Sequence, residues 1–163
     1  ALFTSMFLHG GLAHLMGNMW VLHVFGDNVE DRLGRVPYLA FYLASGGAAG
    51  LAQMLADPAS EAPMVGASGA IAGVTGAYLL LFPHARVQTL APLFMTVELP
   101  AYVFLLFWLV MQIQGGCSTV AGAGPGVAFF AHIGGFVTGA ALAFAMVRRG
   151  PVGRIDADQR GWV

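Results

Sequence analysis

Ser68 stands in Gly66-Ala67-Ser68-Gly69, at the head of an uncharged apolar segment that runs to Phe82 and stops at Pro83. A helix that crosses a bilayer needs about 20 apolar residues. This segment has roughly three-quarters of that, so its start falls part-way into the membrane. The first N–H groups of a helix lack intrahelical acceptors and favour negative charge. A serine there has the setting for acyl chemistry below a membrane surface. His132 lies in another apolar segment. His14 and Asn18, spaced i, i+4, share one helix face and can both donate hydrogen bonds to a developing oxyanion.

Each residue also has a plainer explanation. Ser68 belongs to a run of small residues with Gly69, Ala72, Gly73 and Gly76, which lets transmembrane helices approach closely. His132 can be a core histidine bonded to a carbonyl. His14 and Asn18 can serve as inter-helix hydrogen bonds. An ionisable side chain inside a membrane is nonetheless costly and faces the protein interior. On a helix of 100° per residue, Ala128, Gly135, Gly139 and Ala143 fall within about 60° of His132. His132 therefore sits on a small-residue face that complements the one after Ser68, and close packing would bring the two side chains into hydrogen-bond reach. His23 lies about 180° from His14 and is outside the site. His9 precedes the regular helix and is assigned no chemistry.

Metal binding is the rival use of histidine. No Cys, Asp or Glu at matching depth completes a shell around His14 and His132, and His-Glu-x-x-His is absent, so no metal or cofactor is expected. Glu98, beside Pro100, reads as a deep structural partner or a contact at a proline kink. Gly122 to Gly126 lacks the spacing, the lysine and the preceding strand of a phosphate loop.

The elements that must position these residues follow from composition and breakers. The chain has 163 residues, 58% hydrophobic and 9% charged, with net charge −1. Soluble domains carry about 25% charged residues. The composition is that of an all-α polytopic membrane protein, and the charge gives no indication of nucleic-acid binding. Cys117 is the single cysteine, so no internal disulfide is possible. Five apolar segments emerge: Leu8 to Phe25, Val36 to Leu55, Ser68 to Phe82, Leu90 to Gln114 and Val127 to Val147. Gly26-Asp27-Asn28 ends the first, and a Gly-rich loop from Gly115 to Gly126 separates the last two. Residues 148–163 form a polar tail.

Five crossings put all seven arginines on one side: Arg32 and Arg35, Arg86, and then Arg148, Arg149, Arg154 and Arg160. The positive-inside rule makes that side, including the tail, cytoplasmic. His132 is then about five residues into its helix from the outer face, roughly 7 Å deep at 1.5 Å per residue. Ser68, His14 and Asn18 fall at similar depth.

In these residues the chain resembles the rhomboid family of intramembrane serine proteases. The likeness covers about residues 3–147. It is carried by His9-Gly-Gly-Leu-Ala-His14-Leu-Met-Gly-Asn18, by Gly66-Ala-Ser68-Gly69, and by Ala131-His132-Ile-Gly-Gly135 followed by Gly139. Gly26-Asp-Asn-Val-Glu30-Asp-Arg32-Leu-Gly34 resembles the segment after the second transmembrane helix of bacterial members. The family fold is a six-helix bundle. The resemblance implies that the five segments are helices two to six, with the first helix missing from an N-terminally truncated domain at residues 1–147.

The resemblance further implies that Ser68 is the nucleophile and His132 the general base. His14, Asn18 and the Ser68 N–H would stabilise the oxyanion, and no acidic residue orients the histidine, which leaves a dyad. Many members carry an aromatic four residues after the serine. Ala72 stands there in this chain, so either His132 is less tightly held or another side chain fills the gap. The expected activity is cleavage of transmembrane proteins near the outer face of a bacterial plasma membrane, with membrane-protein substrates and the lipid bilayer as partners. The alternatives are a rhomboid-like protein that binds membrane helices without cutting them, or a small transporter built on a broken helix.

Overall fold

The computed structural model describes residues 2–60, 63–90, 95–120 and 128–149. Residues 150–163, most of the expected tail, and residues 121–127, with the stretch Gly122 to Gly126, lie outside the described residues. A short 3₁₀ turn, Thr4–Phe7, is followed by helices α1 (Leu12–Leu33), α2 (Arg35–Ala56) and α3 (Ser68–Leu81). A two-stranded antiparallel hairpin follows, β1 (Arg86–Leu90) and β2 (Thr96–Pro100), and then α4 (Ala101–Val120) and α5 (Phe129–Arg149). By length and apolar composition α2, α4 and α5 can cross a membrane; α3 is a shorter apolar helix. The all-α polytopic membrane architecture expected from composition is present.

Several boundaries differ from expectation. Helix α1 does not end at Gly26 but continues through the charged stretch to Leu33. A β-carbon on Gly26 would lie 2.9 Å from the Tyr38 hydroxyl, so this glycine serves a close approach of α2 and does not break the helix. The break comes at Gly34, whose φ of 85° favours glycine and whose N–H bonds the Glu30 carbonyl at 2.7 Å.

The fourth segment also differs. A β-hairpin begins ahead of Leu90 and takes in the segment's first part, favoured by β-branched Val87, Thr89, Thr96 and Val97. Glu98 is therefore not inside a helix. It pairs across the hairpin with Gln88 and sits 3.9 Å from Arg86, a partly exposed ion pair. Pro100 ends the strand. Helix α4 then runs six residues past Gln114, because Gly115 and Gly116 again mark a close approach, here to Phe129 and Phe130 of α5.

Helix α3 is the centre of the bundle. Residues Ala70 to Tyr78 are all buried, with α5 as its most extensive neighbour and α1 and α2 on other sides. The α3–α5 seam is made by glycine. β-Carbons on Gly135 and Gly139 would collide with the carbonyl oxygens of Gly69 and Gly73, and one on Gly76 with that of Phe136. The small-residue faces of the two helices do interlock. Gln53 of α2 accepts from the Ala131 N–H at 3.3 Å and so fixes the start of α5. Towards the hairpin end, Phe25, Val29, Phe41, Val74, Tyr78, Val87 and Leu105 make the apolar core.

Candidate active site

Ser68 is the first residue of α3, and its N–H is one of the first-turn donors that helix geometry leaves without an intrahelical acceptor. The chain enters the helix through Gly66, whose φ is 119°. The Gly66 N–H bonds the Ser5 carbonyl at 3.0 Å, and Met6 is buried against Gly46 and Ala70. The 3₁₀ turn thus pins the loop that delivers the serine.

The glycine seam sets α5 so close that His132 Nε2 lies 2.8 Å from Ser68 Oγ. These are the two side chains that the sequence puts on facing small-residue stripes. Both hydrogen-bond at a distance ordinary for a hydroxyl and a ring nitrogen.

His14 occupies the first turn of α1. Its Nδ1 accepts a long hydrogen bond, 3.4 Å, from the Gly10 N–H, and the His9 ring stands edge-on to it at 5.3 Å. That acceptor role leaves the proton on Nε2. Asn18, one turn on, is buried, and its amide nitrogen Nδ2 has no partner among the described residues. A β-carbon on Gly66 would lie 2.8 Å from His14 Nε2 and 3.7 Å from Asn18 Nδ2. Two side-chain donors therefore converge on the loop immediately before Ser68. His23 is exposed, 3.7 Å from Asp27 and away from this region.

Ser68, His132, His14 and Asn18 all line one cavity of about 680 Å³. From Ser68 it extends along α3 past Ala72 to Thr75, about 10 Å at 1.5 Å per residue. Phe25, Phe104, Leu105 and Trp108 form much of the rest, so the cavity is mainly apolar below a polar rim.

Two contacts of His132 have no counterpart among the residues read from the sequence. Trp108 lies against the imidazole, ring centroids 5.9 Å apart at 39°, and lines the same cavity as Ala72. Gln112 Oε1 is 2.7 Å from His132 Nδ1. The signal was present: Trp108 and Gln112 are spaced i, i+4 and share a face of α4. A helix ending at Gln114 puts Gln112 at a terminus, where an amide is unremarkable. A helix ending at Val120 puts it inside.

The family model for the Rhomboid domain matches residues 1–149. Among curated proteins, the chain is similar to RHOMBOID-like protein 5 of Arabidopsis thaliana, 32% identical over 157 residues, which are 95% of this chain and 46% of that protein. It is also 32% identical over 161 residues to RHOMBOID-like protein 6, mitochondrial, of the same plant, covering 99% of this chain and 45% of the other. Rhomboid protein 1, mitochondrial, of Saccharomyces cerevisiae is 32% identical over 140 residues, 83% of this chain and 38% of the yeast protein. The chain spans less than half the length of each of these relatives.

Proposed function

The chain belongs to the rhomboid family, and from that premise we propose that it is an intramembrane serine endopeptidase that cuts transmembrane proteins near the outer face of the membrane. The observation that carries this reading is the 2.8 Å contact between Ser68 Oγ and His132 Nε2 at the head of a short buried helix.

Ser68 Oγ attacks a peptide carbonyl of an unwound substrate helix while His132 Nε2 takes its proton. The carbonyl oxygen becomes an oxyanion. The Ser68 N–H, His14 Nε2–H and Asn18 Nδ2–H donate to it, and they do so in an apolar cavity where such bonds are strong. Collapse of the adduct breaks the peptide bond, and the His132 proton passes to the leaving amine. Water then attacks the acyl-enzyme with His132 again as base, and Ser68 is released. No metal or cofactor is required by this sequence of steps.

An integral membrane position follows from the helices. The reading adds a bacterial plasma membrane with the arginine-bearing ends cytoplasmic, so that Ser68 lies below the outer face. The relatives include mitochondrial proteins by name, and reporter fusions to the C-terminus decide the orientation in the native membrane.

A rhomboid-like protein that binds helices without cutting them would have no use for a bonded serine and histidine, and this contact favours the protease. The test is the full chain encoded by the gene, reconstituted in liposomes with a single-pass substrate, alongside Ser68→Ala and His132→Ala. Cleavage by the wild type alone is expected, with covalent labelling of Ser68 by a fluorophosphonate. A folded protein that neither cuts nor labels at Ser68 would leave the helix-binding reading in its place.

A further inference from the structure

Gln112 is one of four buried polar residues among the described ones, at 9% exposure. An amide buried in an apolar helix is costly unless it is hydrogen-bonded. Its polar neighbours on α4 satisfy themselves locally: Ser118 bonds the Gln114 carbonyl at 3.0 Å, and Thr119 that of Gly115 at 3.0 Å. Gln112 instead reaches across to α5, and Oε1 meets His132 Nδ1 at 2.7 Å.

We propose that Gln112 is a positioning residue for the reaction: its Oε1 accepts the Nδ1–H of His132 and so fixes the tautomer whose Nε2 lone pair faces Ser68. The proposal rests on the protease reading and adds a third member to the Ser68–His132 pair. A neutral imidazole carries one N–H, and the group opposite one nitrogen decides which nitrogen has it. An amide oxygen only accepts, so the proton is on Nδ1. Nε2 is then the acceptor, and the Ser68 hydroxyl must donate to it. In the reverse tautomer Nε2–H would face Ser68 and could take no proton.

The same bond serves the next step. When Nε2 takes the serine proton, the ring becomes cationic and Nδ1–H···Oε1 becomes charge-assisted, hence stronger. A carboxylate would stabilise the cation more, but a buried charge in the membrane is expensive. The amide gives the orientation without that cost. Trp108, one turn earlier, covers the ring, so two side chains from one face of α4 constrain His132 in both plane and tautomer.

The test uses the full chain in liposomes, with Gln112→Met, which keeps length but removes the acceptor, and Gln112→Glu, which keeps a carboxyl oxygen that can accept from Nδ1. Gln112→Met should lower kcat and the fluorophosphonate labelling rate of Ser68 about 10–100-fold with KM unchanged. Gln112→Glu should recover most of the labelling rate. A residue needed only for packing would give the opposite order, because Met fits an apolar gap and Glu does not. Nitrogen-15 shifts of the wild-type His132 ring should show Nδ1 protonated.

A Gln112→Met protein that labels and cuts at the wild-type rate overturns the proposal, as does a wild-type ring protonated on Nε2. The ring measurement needs no variant, so it stands even where Gln112→Met fails to fold. A wild type that neither cuts nor labels sinks the protease reading instead, and the ring nitrogens still report whether Gln112 sets the tautomer.

Discussion

Gly139 and Gly73 meet backbone to backbone where α5 crosses α3, so closely that a β-carbon on Gly139 would collide with the Gly73 carbonyl oxygen. The Ser68–His132 contact depends on this seam, since the two side chains project from the same pair of helices one to two turns away. A single methyl at Gly139 must push the helices apart. Gly139→Ala should cost about 1–3 kcal/mol of stability through overpacking and lower Ser68 labelling in the fraction that remains folded. Thermal unfolding in detergent and labelling of the same preparation check both parts. A variant with unchanged labelling would mean that the seam is not what sets the contact.

On the proposed reaction, the two donors from α1 would act on charge that exists only after attack. Asn18→Ala should therefore reduce kcat by about 10²–10³-fold and leave KM within error. His14→Ala should behave alike. Steady-state cleavage of one substrate by both variants separates this from a binding role, which would raise KM at constant kcat.

Gly66 tests how the donors are arranged against the serine loop. Its φ of 119° strains any other residue, and an added β-carbon would lie 2.8 Å from His14 Nε2. Strain of this kind costs about 1–3 kcal/mol. Gly66→Ala should lose kcat to the same degree as His14→Ala, and the double variant should be no worse than either alone. Additive losses, measured in the same assay, would show that Gly66 acts elsewhere.

Ala72 opens the cavity below Ser68. Ala72→Tyr should narrow it and shift preference towards small side chains beside the cut bond, by at least about tenfold between Ala and Phe substrates. Competition between two such substrates, quantified by mass spectrometry, reads the ratio directly. An unchanged ratio would mean that the substrate side chain lies outside this cavity.

Much of this site was legible because membrane burial leaves few polar residues to choose from. Ser68, His132, His14 and Asn18 stand out against an apolar background, and glycine spacing on two helices predicts their meeting. The seam at Gly135 and Gly139 agrees with the face computed for His132. Less legible are glycines that resemble breakers in the sequence. Gly26 and Gly115 lie inside helices because a neighbouring Tyr38 or Phe129 needs the space, and that neighbour is distant in sequence. With α4 running to Val120, Gln112 lies inside the helix and reaches His132, a contact that an amide near a helix end does not announce. The hairpin was hidden in the same way: an apolar run rich in β-branched residues is compatible with helix or strand, and Pro100 decides it only once Ala101 is known to begin α4.

Helix α3, buried from Ala70 to Tyr78, has almost no surface for lipid, whereas α4 offers Val103, Leu106, Phe107, Val110 and Met111 to its surroundings. Ser68 is thus mounted on an insulated strut, and the two side chains that steady His132 are mounted on one that touches acyl chains. Stretching or thinning the bilayer acts on lipid-facing helices. On the proposed reaction, bilayer thickness would act on His132 more than on Ser68, and turnover in vesicles of stepped acyl length should change through kcat.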